Sequence, residues 1–176
     1  MKKVLIVVDM QNDFVTGSLG TKEAIAIVPN VEKKIEEYLD NNDVIYFTKD
    51  THWEGYLDTQ EGKKLPVEHC IIGTNGWEII DKLKLYEHNV FQKDTFASRD
   101  IAECVWNGFI NNDYDSVELV GVCTDICVIS NALLIKALAP ELEITVDASC
   151  CAGTTPERHK AALETMKSCQ IDVIGE

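Results

Sequence analysis

The chain has little of what nucleic-acid-binding and membrane proteins need. It carries 16 lysines and arginines against 30 aspartates and glutamates, a formal net charge of −14 at pH 7. Because no basic patch could dominate such a surface, we expect neither a nucleic-acid partner nor attraction to an anionic membrane. Its apolar runs are too short to cross a bilayer, so we expect no membrane partner of any kind.

We also expect no export signal, and this bears on the seven cysteines of the chain. The N-terminal stretch MKKVLIVVDMQNDF has two lysines and an apolar run, but the run ends early at Asp9 without a small-residue cleavage site. It is more typical of a first β-strand. An odd number of cysteines without an export signal indicates reduced thiols and a cytoplasmic protein.

Repeats, low-complexity tracts and Pro/Gly-rich linkers are absent too, which favours a single domain over residues 1–176. Short apolar runs instead alternate with helical patterns. The predicted strands are Val4–Val8, Val44–Thr48, Asn89–Gln92, Val117–Val122, Glu143–Val146 and Asp172–Ile174. The predicted helices are one beginning near Pro29, then Gly76–Leu83, Ser98–Asn111, Thr124–Ala139 and Pro156–Ser168. This alternation predicts a three-layer α/β/α fold with a mostly parallel, doubly wound six-stranded sheet.

Polar and sulfur-bearing side chains follow four of the predicted strands. They are Asp9 after the first strand, Asp50 and His52 after the second, Lys93 after the third, and Cys123 to Cys127 after the fourth. Ligands of doubly wound folds bind outside the carboxyl ends of the strands. We therefore expect these side chains to converge on one site.

The two cysteines of GVCTDICV are four residues apart, a spacing that is not the C-x-x-C of thioredoxin-like redox motifs. If Thr124 caps the following helix, Cys127 lies in its first turn, where the helix dipole and free N–H groups favour a thiolate. Alternatively, Cys127 is a small apolar residue of the core, the usual place of a free cysteine. The spacing leaves both interpretations open.

Asp9 and Lys93 are candidate partners for that thiol. A carboxylate at the end of an apolar strand needs a partner or a solvated cleft, and it could take up a thiol proton. An ammonium group nearby would favour the thiolate. The competing interpretations are an aspartate that caps a turn or lies at the surface, and a solvated lysine.

A second group of residues suits a metal ion. Asp50 and His52 share one side of an extended segment, because residues i and i+2 lie on the same face. Glu61 and His69 follow in an irregular stretch, and Cys70 is a further candidate that ranks below Glu61. Two histidines with one or two carboxylates are typical of a site for one divalent ion, Zn²⁺ first, with Mn²⁺ or Fe²⁺ as alternatives. The D-x-H pattern is short, however, and also arises by chance.

Taken in order, these segments resemble the isochorismatase-like cysteine hydrolases, and among them the nicotinamidase/pyrazinamidase branch. The landmarks cover nearly the whole chain: DMQNDF (9–14), Gly-Ser-Leu (17–19), FTKDTH (47–52), Gln-Lys (92–93), GVCTDICV (121–128) and a closing segment over residues 147–159.

The resemblance implies roles for most of the candidate residues. It implies a catalytic triad of Asp9, Lys93 and Cys127, and an oxyanion hole made by the backbone N–H groups of Cys123 and Cys127, with a cis peptide after Val122. It implies metal ligands at Asp50, His52 and His69, with Glu61 as the fourth ligand by its spacing in a glutamate-type subgroup. It also implies a substrate pocket that includes Phe14, Leu19 and Phe96, and a homo-oligomer, either a dimer or a tetramer.

The chain departs from this pattern before the last histidine ligand, where relatives often have an aromatic residue. Here Val67 and Glu68 occupy the segment, and Trp53 is a candidate replacement.

The implied activity is hydrolysis of nicotinamide to nicotinate and ammonia through a thioester. One alternative is a family member acting on another small amide or a carbamoyl compound; a vinyl-ether hydrolase of the family would lack the cysteine. The other alternative is a non-catalytic metal-binding or redox module using Cys123, Cys127 and Cys150, in which Asp9 and Lys93 would have no function.

Overall fold

The computed structural model describes residues 2–176 and contains a six-stranded parallel sheet. Its strand order is β3-β2-β1-β4-β5-β6. The strands are β1 (Lys2–Val8), β2 (Val44–Asp50), β3 (Val90–Lys93), β4 (Tyr114–Val122), β5 (Glu143–Ala152) and β6 (Asp172–Ile174). The order reverses between β1 and β4, which is the topological switch of a doubly wound sheet. The predicted fold class is confirmed.

Seven α-helices cover the sheet among the described residues. They are α1 (Asn12–Val15), α2 (Lys22–Asp40), α3 (Gln60–Lys64), α4 (Asp81–Lys84), α5 (Arg99–Ile110), α6 (Ile129–Leu138) and α7 (Pro156–Ser168). Two 3₁₀ turns (Tyr56–Asp58, Asn75–Trp77) and a π-helical turn (Thr124–Val128) complete the structure. Across residues 2–176 we find no helix long and apolar enough to span a membrane.

Strand β1 contributes residues to the hydrophobic core on both faces of the sheet. Its residues Val4 to Val8 are fully buried, and the alternation of a strand sends them to opposite faces. Val4, Ile6 and Val8 pack with residues of α5, α6 and α7, whereas Leu5 and Val7 pack with residues of α1, α2 and α4. This is why the strand is a continuous apolar run, as expected for a strand covered on both sides.

The helix predicted to begin near Pro29 begins at Lys22 instead, with Pro29 inside it. Thr21 caps the helix, its hydroxyl oxygen accepting a hydrogen bond from the Ala24 N–H at 3.0 Å. The buried residues Ala24 and Ile27 precede the proline and pack in the core. Their burial outweighs the preference of proline for a first helical turn.

The helix predicted over Gly76–Leu83 is also wrong. A 3₁₀ turn and the short α4 flank Ile79 and Ile80, whose backbone pairs with the segment after β1. The Ile80 N–H donates to the Met10 carbonyl at 3.0 Å. Apolar spacing alone could not distinguish this extended pairing from a helix.

Strand β5 is longer than the predicted Glu143–Val146 and continues to Ala152. Cys151 and Ala152 pair with Gly121 and Val122 of β4. The loop is therefore confined to the few residues before α7.

Candidate active site and metal centre

A cavity of about 770 Å³ opens at the carboxyl ends of the strands. Side chains from several strand ends line it, as the topology of a parallel sheet requires. The sequence candidates among its lining residues are Phe14, Leu19, Asp50, Glu61, His69, Phe96, Cys123 and Cys127. The register of the sheet places Lys93 opposite Asp50, and Asp9 directly follows the pair of Val8 and Gly121.

Gly121 shows why the sheet can close so tightly here. Its φ is +113°, and a Cβ at this position would lie 2.2 Å from the Val8 carbonyl oxygen. A side chain would therefore push β4 away from β1, the strand that carries Asp9.

Asp9 is fully buried at the end of β1 and has a left-handed backbone with φ of +49°. The Thr48 hydroxyl donates to its Oδ1 at 2.6 Å, and its own N–H donates to the Thr48 oxygen at 3.1 Å. Its other oxygen, Oδ2, lies 2.7 Å from Lys93 Nζ in an ion pair. Burial raises the pKa of Asp9, and the charge of Lys93 opposes that rise. The carboxyl group is therefore suited to accepting and returning a proton.

Lys93 connects three groups of the site. Its Nζ lies 2.7 Å from Asp9 Oδ2, 3.3 Å from Asp50 Oδ1 and 3.5 Å from Cys127 Sγ. Burial lowers the pKa of Lys93, but Asp9, Cys127 and Asp50 outweigh burial and raise it well above its usual value. The ammonium group is therefore charged and holds the two carboxylates and the sulfur around one point.

Cys127 is buried, and burial raises the pKa of its thiol well above the usual value despite the opposing charge of Lys93. The resting group is therefore a thiol, and its proton has to be removed before the sulfur can attack. This differs from our expectation of a thiolate favoured by a helix dipole. It makes a base near the sulfur more important.

The local structure around Cys127 also differs from prediction. Thr124 does not cap a helix; its hydroxyl is hydrogen-bonded to His159 Nδ1 at 2.8 Å. Residues 124–128 form a π-helical turn, in which the Val128 N–H bonds to the Cys123 carbonyl at 3.1 Å, and α6 begins only at Ile129. The Val122–Cys123 peptide bond is cis, as the resemblance implied. Cys127 thus lies in a wide turn that precedes the helix.

The expected metal ligands lie together beside Lys93. Asp50, His52 and His69 are buried and present ligand atoms that all lie within 4.8 Å of one another. Asp50 Oδ2 is 3.1 Å from His52 Nε2 and 3.5 Å from His69 Nε2. Glu61 Oε1 lies 3.8 and 3.7 Å from the same two nitrogens, so α3 brings it to the edge of the group. Cys70 lies outside the group of three.

This donor set fits a divalent metal ion. His69 Nδ1 lies 2.8 Å from the Val67 carbonyl, which can only accept, so this nitrogen carries a hydrogen and Nε2 is the atom that faces the other ligands. Burial raises the pKa of Asp50, but His52, His69 and Lys93 outweigh burial and hold that pKa well below the usual range. A carboxylate and two imidazoles are borderline ligands that a divalent transition ion binds well.

Three residues expected to contact a substrate line the cavity. Phe14 is buried on α1 with its ring 5.4 Å from that of His69, and Leu19 follows it in the chain. Phe96 is 48% exposed and forms part of the cavity wall. Trp53 is 54% exposed and is not among the lining residues, so it does not replace the missing aromatic residue.

Two side chains, Gln11 and Asp125, hold the site in place through contacts that the sequence did not indicate. Gln11 is fully buried; its Nε2 donates to the Asp50 carbonyl and its Oε1 accepts from the Asp50 N–H, both at 2.8 Å. Asp125 accepts two hydrogen bonds from Thr154, which attaches the loop after β5 to the turn of Cys127. Gln11 lies within the landmark DMQNDF, but nothing in the sequence indicated that its side chain reaches Asp50.

Cys150 does not lie with Cys123 and Cys127. It is buried on β5 in the core layer of α1, α2 and α4, and it does not line the cavity. All seven cysteines of the described chain are free thiols. The module of three cooperating cysteines is therefore not supported.

Known proteins resemble the chain over nearly its whole length. A family model described as "Isochorismatase domain" matches residues 3–175. The nicotinamidase/pyrazinamidase of Mycobacterium tuberculosis is 27% identical over 185 residues, with 98% of each chain covered. Among solved structures, the pyrazinamidase of Pyrococcus horikoshii in complex with zinc has a TM-score of 0.81 at 28% identity and covers 100% of both chains. The pyrazinamidase/nicotinamidase of Streptococcus mutans has a TM-score of 0.81 at 30% identity, covering 98% of this chain and 100% of its own.

Proposed function

This chain belongs to the isochorismatase family, and from that membership we propose that it is a metal-dependent cysteine amidohydrolase converting nicotinamide to nicotinate and ammonia. One observation carries the proposal: Lys93 Nζ lies within 3.5 Å of both Asp9 and Cys127, beside the group of Asp50, His52 and His69. A thiol, a base and a metal-binding group at one cavity are what amide hydrolysis through a thioester needs. The names of the similar proteins support an amide substrate.

In the first half of the reaction, Asp9 accepts the proton of the Cys127 thiol while Lys93 offsets the developing charge on sulfur. The sulfur attacks the amide carbon, and the backbone N–H groups of Cys123 and Cys127 receive the oxyanion. The protonated Asp9 then gives its proton to the leaving nitrogen, and ammonia departs as the thioester forms.

In the second half, Asp9 accepts a proton from a water molecule, which attacks the thioester carbon. The same N–H groups receive the second oxyanion. Collapse of this intermediate expels the sulfur, which takes its proton back from Asp9, and releases the carboxylic acid, which ionises to nicotinate. The raised pKa of Asp9 suits both directions of proton transfer.

Asp50, His52, His69 and, as the fourth ligand, Glu61 would hold the metal ion, for which we propose zinc, with manganese or iron as alternatives. When bound, the ion supplies a Lewis-acid site that anchors the ring nitrogen of the substrate. Phe14 and Phe96 would flank the ring, and Leu19 would contact it. Gln11 orients Asp50 through its two hydrogen bonds to the Asp50 backbone.

The test is ammonia release from nicotinamide by the wild-type protein, by chelator-treated protein and by Cys127→Ser. We expect activity only in the first, restored in the second by added zinc. Cys150→Ser is the matched control, since it makes the same change at a buried thiol outside the cavity. Activity that persists in Cys127→Ser would overturn the mechanism.

A second candidate is hydrolysis of another small amide or of a carbamoyl compound by the same residues. The presence of Val67 and Glu68, where relatives often have an aromatic residue, favours testing it. Pyrazinamide and carbamoyl amino acids should be assayed beside nicotinamide. Metal-loaded protein that hydrolyses one of these and leaves nicotinamide intact would change the substrate and keep the mechanism.

We further propose that residues 1–176 act as one hydrolase domain, in a cytoplasmic homo-oligomer. Light scattering after size-exclusion chromatography would measure the oligomeric state, and a monomer would contradict that part of the proposal.

A further inference from the structure

The side chain of Asn131 is fully buried, takes no part in the proposed chemistry and connects two sides of the site. It lies in the first turn of α6. Its Nδ2 donates to the Cys127 carbonyl at 2.8 Å and to the Phe96 carbonyl at 3.3 Å. Its Oδ1 accepts from the Ser98 N–H at 2.9 Å. Both the donor and the acceptor of this amide are therefore engaged, as a buried amide requires.

The partners of Asn131 belong to elements that the sequence separates by about thirty residues. Cys127 is in the π-helical turn, whereas Phe96 and Ser98 belong to the segment 94–98 that joins β3 to α5. That segment starts directly after Lys93, and Asp94, Thr95 and Phe96 line the cavity. Asn131 thus attaches one wall of the cavity to the turn that carries the thiol.

These hydrogen bonds are not needed to begin either helix. The Ser98 hydroxyl already caps α5 by accepting from the Ile101 N–H at 3.3 Å. All three bonds of the Asn131 side chain lead away from α6, to the turn before it and to the segment 94–98. Filling space in the core would require only an apolar side chain of similar volume.

The ring of Phe96 depends most on this attachment. It is 48% exposed, so surrounding side chains restrain it only in part, while its own backbone carbonyl is bonded to Asn131. A wall that holds a planar ring has to stay at a set distance from the attacking sulfur, since small displacements of a positioned group cost large factors in rate.

We propose that Asn131 is a positioning residue that sets the distance between Cys127 and the Phe96 wall, and with it the preference of the site for compounds that carry a planar ring. The inference rests on the proposed function in one respect, that Cys127 is the reactive thiol. It does not require nicotinamide to be the substrate.

The test compares alkylation of Cys127 by iodoacetamide and by N-phenyl iodoacetamide, measured by peptide mass spectrometry on the whole protein. We expect the wild-type protein to react faster with the ring-bearing reagent. Asn131→Ser and Asn131→Leu should lower the ratio of the two rates at least fivefold, with iodoacetamide itself changed less than twofold. A ratio that stays within twofold of wild type, or a wild type without ring preference, would overturn the inference.

Ser98→Ala is the matched control. It removes the helix cap at the same junction but leaves the Ser98 N–H and all three Asn131 bonds in place, so the ratio should stay within twofold. A loss as large as that of the Asn131 variants would show that general loosening of the junction is the cause, and would overturn the inference.

Phe96→Ala keeps the test decisive if the Asn131 variants do not fold, because its half-exposed ring can be removed without opening the core. It should lose the same ring preference, and a retained preference would contradict the proposal. Where the Asn131 variants do fold, adding Asn131→Ser to Phe96→Ala should lower the ratio no further.

With nicotinamide, Asn131→Ser should raise KM at least fivefold with a smaller change in kcat. Failure of the wild type to release ammonia would sink the proposed function, while the alkylation ratio would still decide the role of Asn131.

Discussion

Two clusters in this protein have the same composition, one lysine between two carboxylates, and differ in burial and in their surroundings. In the first, Lys93 lies between Asp9 and Asp50. In the second, Lys34 Nζ lies 2.8 Å from Glu118 Oε1 and 3.0 Å from Asp147 Oδ2. We call them the Lys93 cluster and the Lys34 cluster.

The Lys34 cluster is well supplied with donors. The Tyr38 hydroxyl donates to Glu118 Oε2 at 2.8 Å, and the Ser149 N–H and hydroxyl donate to Asp147 Oδ1 at 2.9 and 2.6 Å. Although burial raises the pKa of Asp147, Ser149 and Lys34 bring it below the usual value. Both carboxylates are ion-paired with Lys34, and although the Cys150 thiol lies 3.8 Å from Ser149 Oγ, neither it nor the two carboxylates line the active-site cavity. This cluster joins α2 to β4 and β5.

The Lys93 cluster is the more deeply buried of the two. The side chains of Asp9 and Lys93 are 0% and 1% exposed, against 8% and 16% for Asp147 and Lys34. The pKa of Asp9 is raised where that of Asp147 is lowered. A lysine between carboxylates therefore does not indicate a reactive site by itself. What distinguishes the Lys93 cluster is a carboxylate whose pKa stays raised beside a thiol that lines the cavity.

The largest expected difference between the clusters is in activity. Asp9→Asn removes the proposed base and should reduce kcat for nicotinamide by about 10³-fold, within the range typical of lost acid–base catalysis. Asp147→Asn makes the same change in the Lys34 cluster and should keep kcat within twofold. Ammonia release by both purified variants measures this. Equal losses would mean that the clusters do not differ in function.

The free energy of unfolding should fall more when Lys93 is replaced than when Lys34 is replaced. Lys93→Met leaves two carboxylates buried without their counter-ion and should lower the free energy of unfolding by about 3–5 kcal/mol. Lys34→Met should cost about 1–3 kcal/mol, because Tyr38 and Ser149 still donate to its partners and some solvent reaches them. Urea unfolding at neutral pH gives both values. A larger loss for Lys34→Met would contradict our ranking of the clusters.

The amount of bound zinc should fall when a carboxylate beside the Lys93 cluster is removed, and should not change when one of the Lys34 cluster is removed. Glu61→Ala removes one proposed ligand and should lower bound zinc, and with it the rise in Tm that zinc produces by binding the folded protein. Glu118→Ala, a carboxylate of the Lys34 cluster, should leave zinc binding unchanged. Elemental analysis and thermal melts with and without zinc measure both effects. Unchanged zinc in Glu61→Ala would assign the fourth position to another ligand.

The smallest expected effect is on acid stability. Because the pKa of Asp147 is lower in the folded protein than in the unfolded chain, its stabilisation is present above the unfolded value and is lost as the pH falls through the folded one. Asp147→Asn should therefore be less stable than wild type at neutral pH, and the difference should shrink below about pH 4, near the usual pKa of aspartate. Urea unfolding between pH 3 and about 7 tests this. A difference that does not depend on pH would contradict the assignment.

Much of the fold could be predicted because its strands are buried on both faces and so are continuous apolar runs. Val4 to Val8 is the plainest case, and Pro156–Ser168 was correct at both ends because Thr155 and Pro156 mark its start. The start of the helix expected near Pro29 and the whole helix expected over Gly76–Leu83 were wrong, because a proline in the one and an apolar pair in the other admit two local structures. Tertiary pairing of Ile80 with Met10 decided between them.

The sequence by itself determined which polar and sulfur-bearing residues follow each strand. The resemblance of its motifs identified the family and the candidate residues of the site. It could do so because those residue types follow the strands directly and parallel strands end on one side of a sheet. Only the tertiary structure decided which polar groups touch. Three findings depend on distances across the sheet and on burial. They are which of Lys93 and Lys34 faces the Cys127 thiol, the protonated state of that thiol, and the hydrogen bonds by which Gln11 and Asn131 hold the site. Contacts between residues far apart in the chain leave no periodic pattern in it, and desolvation, which shifts the pKa of Asp9 and Cys127, exists only once the chain has folded around them.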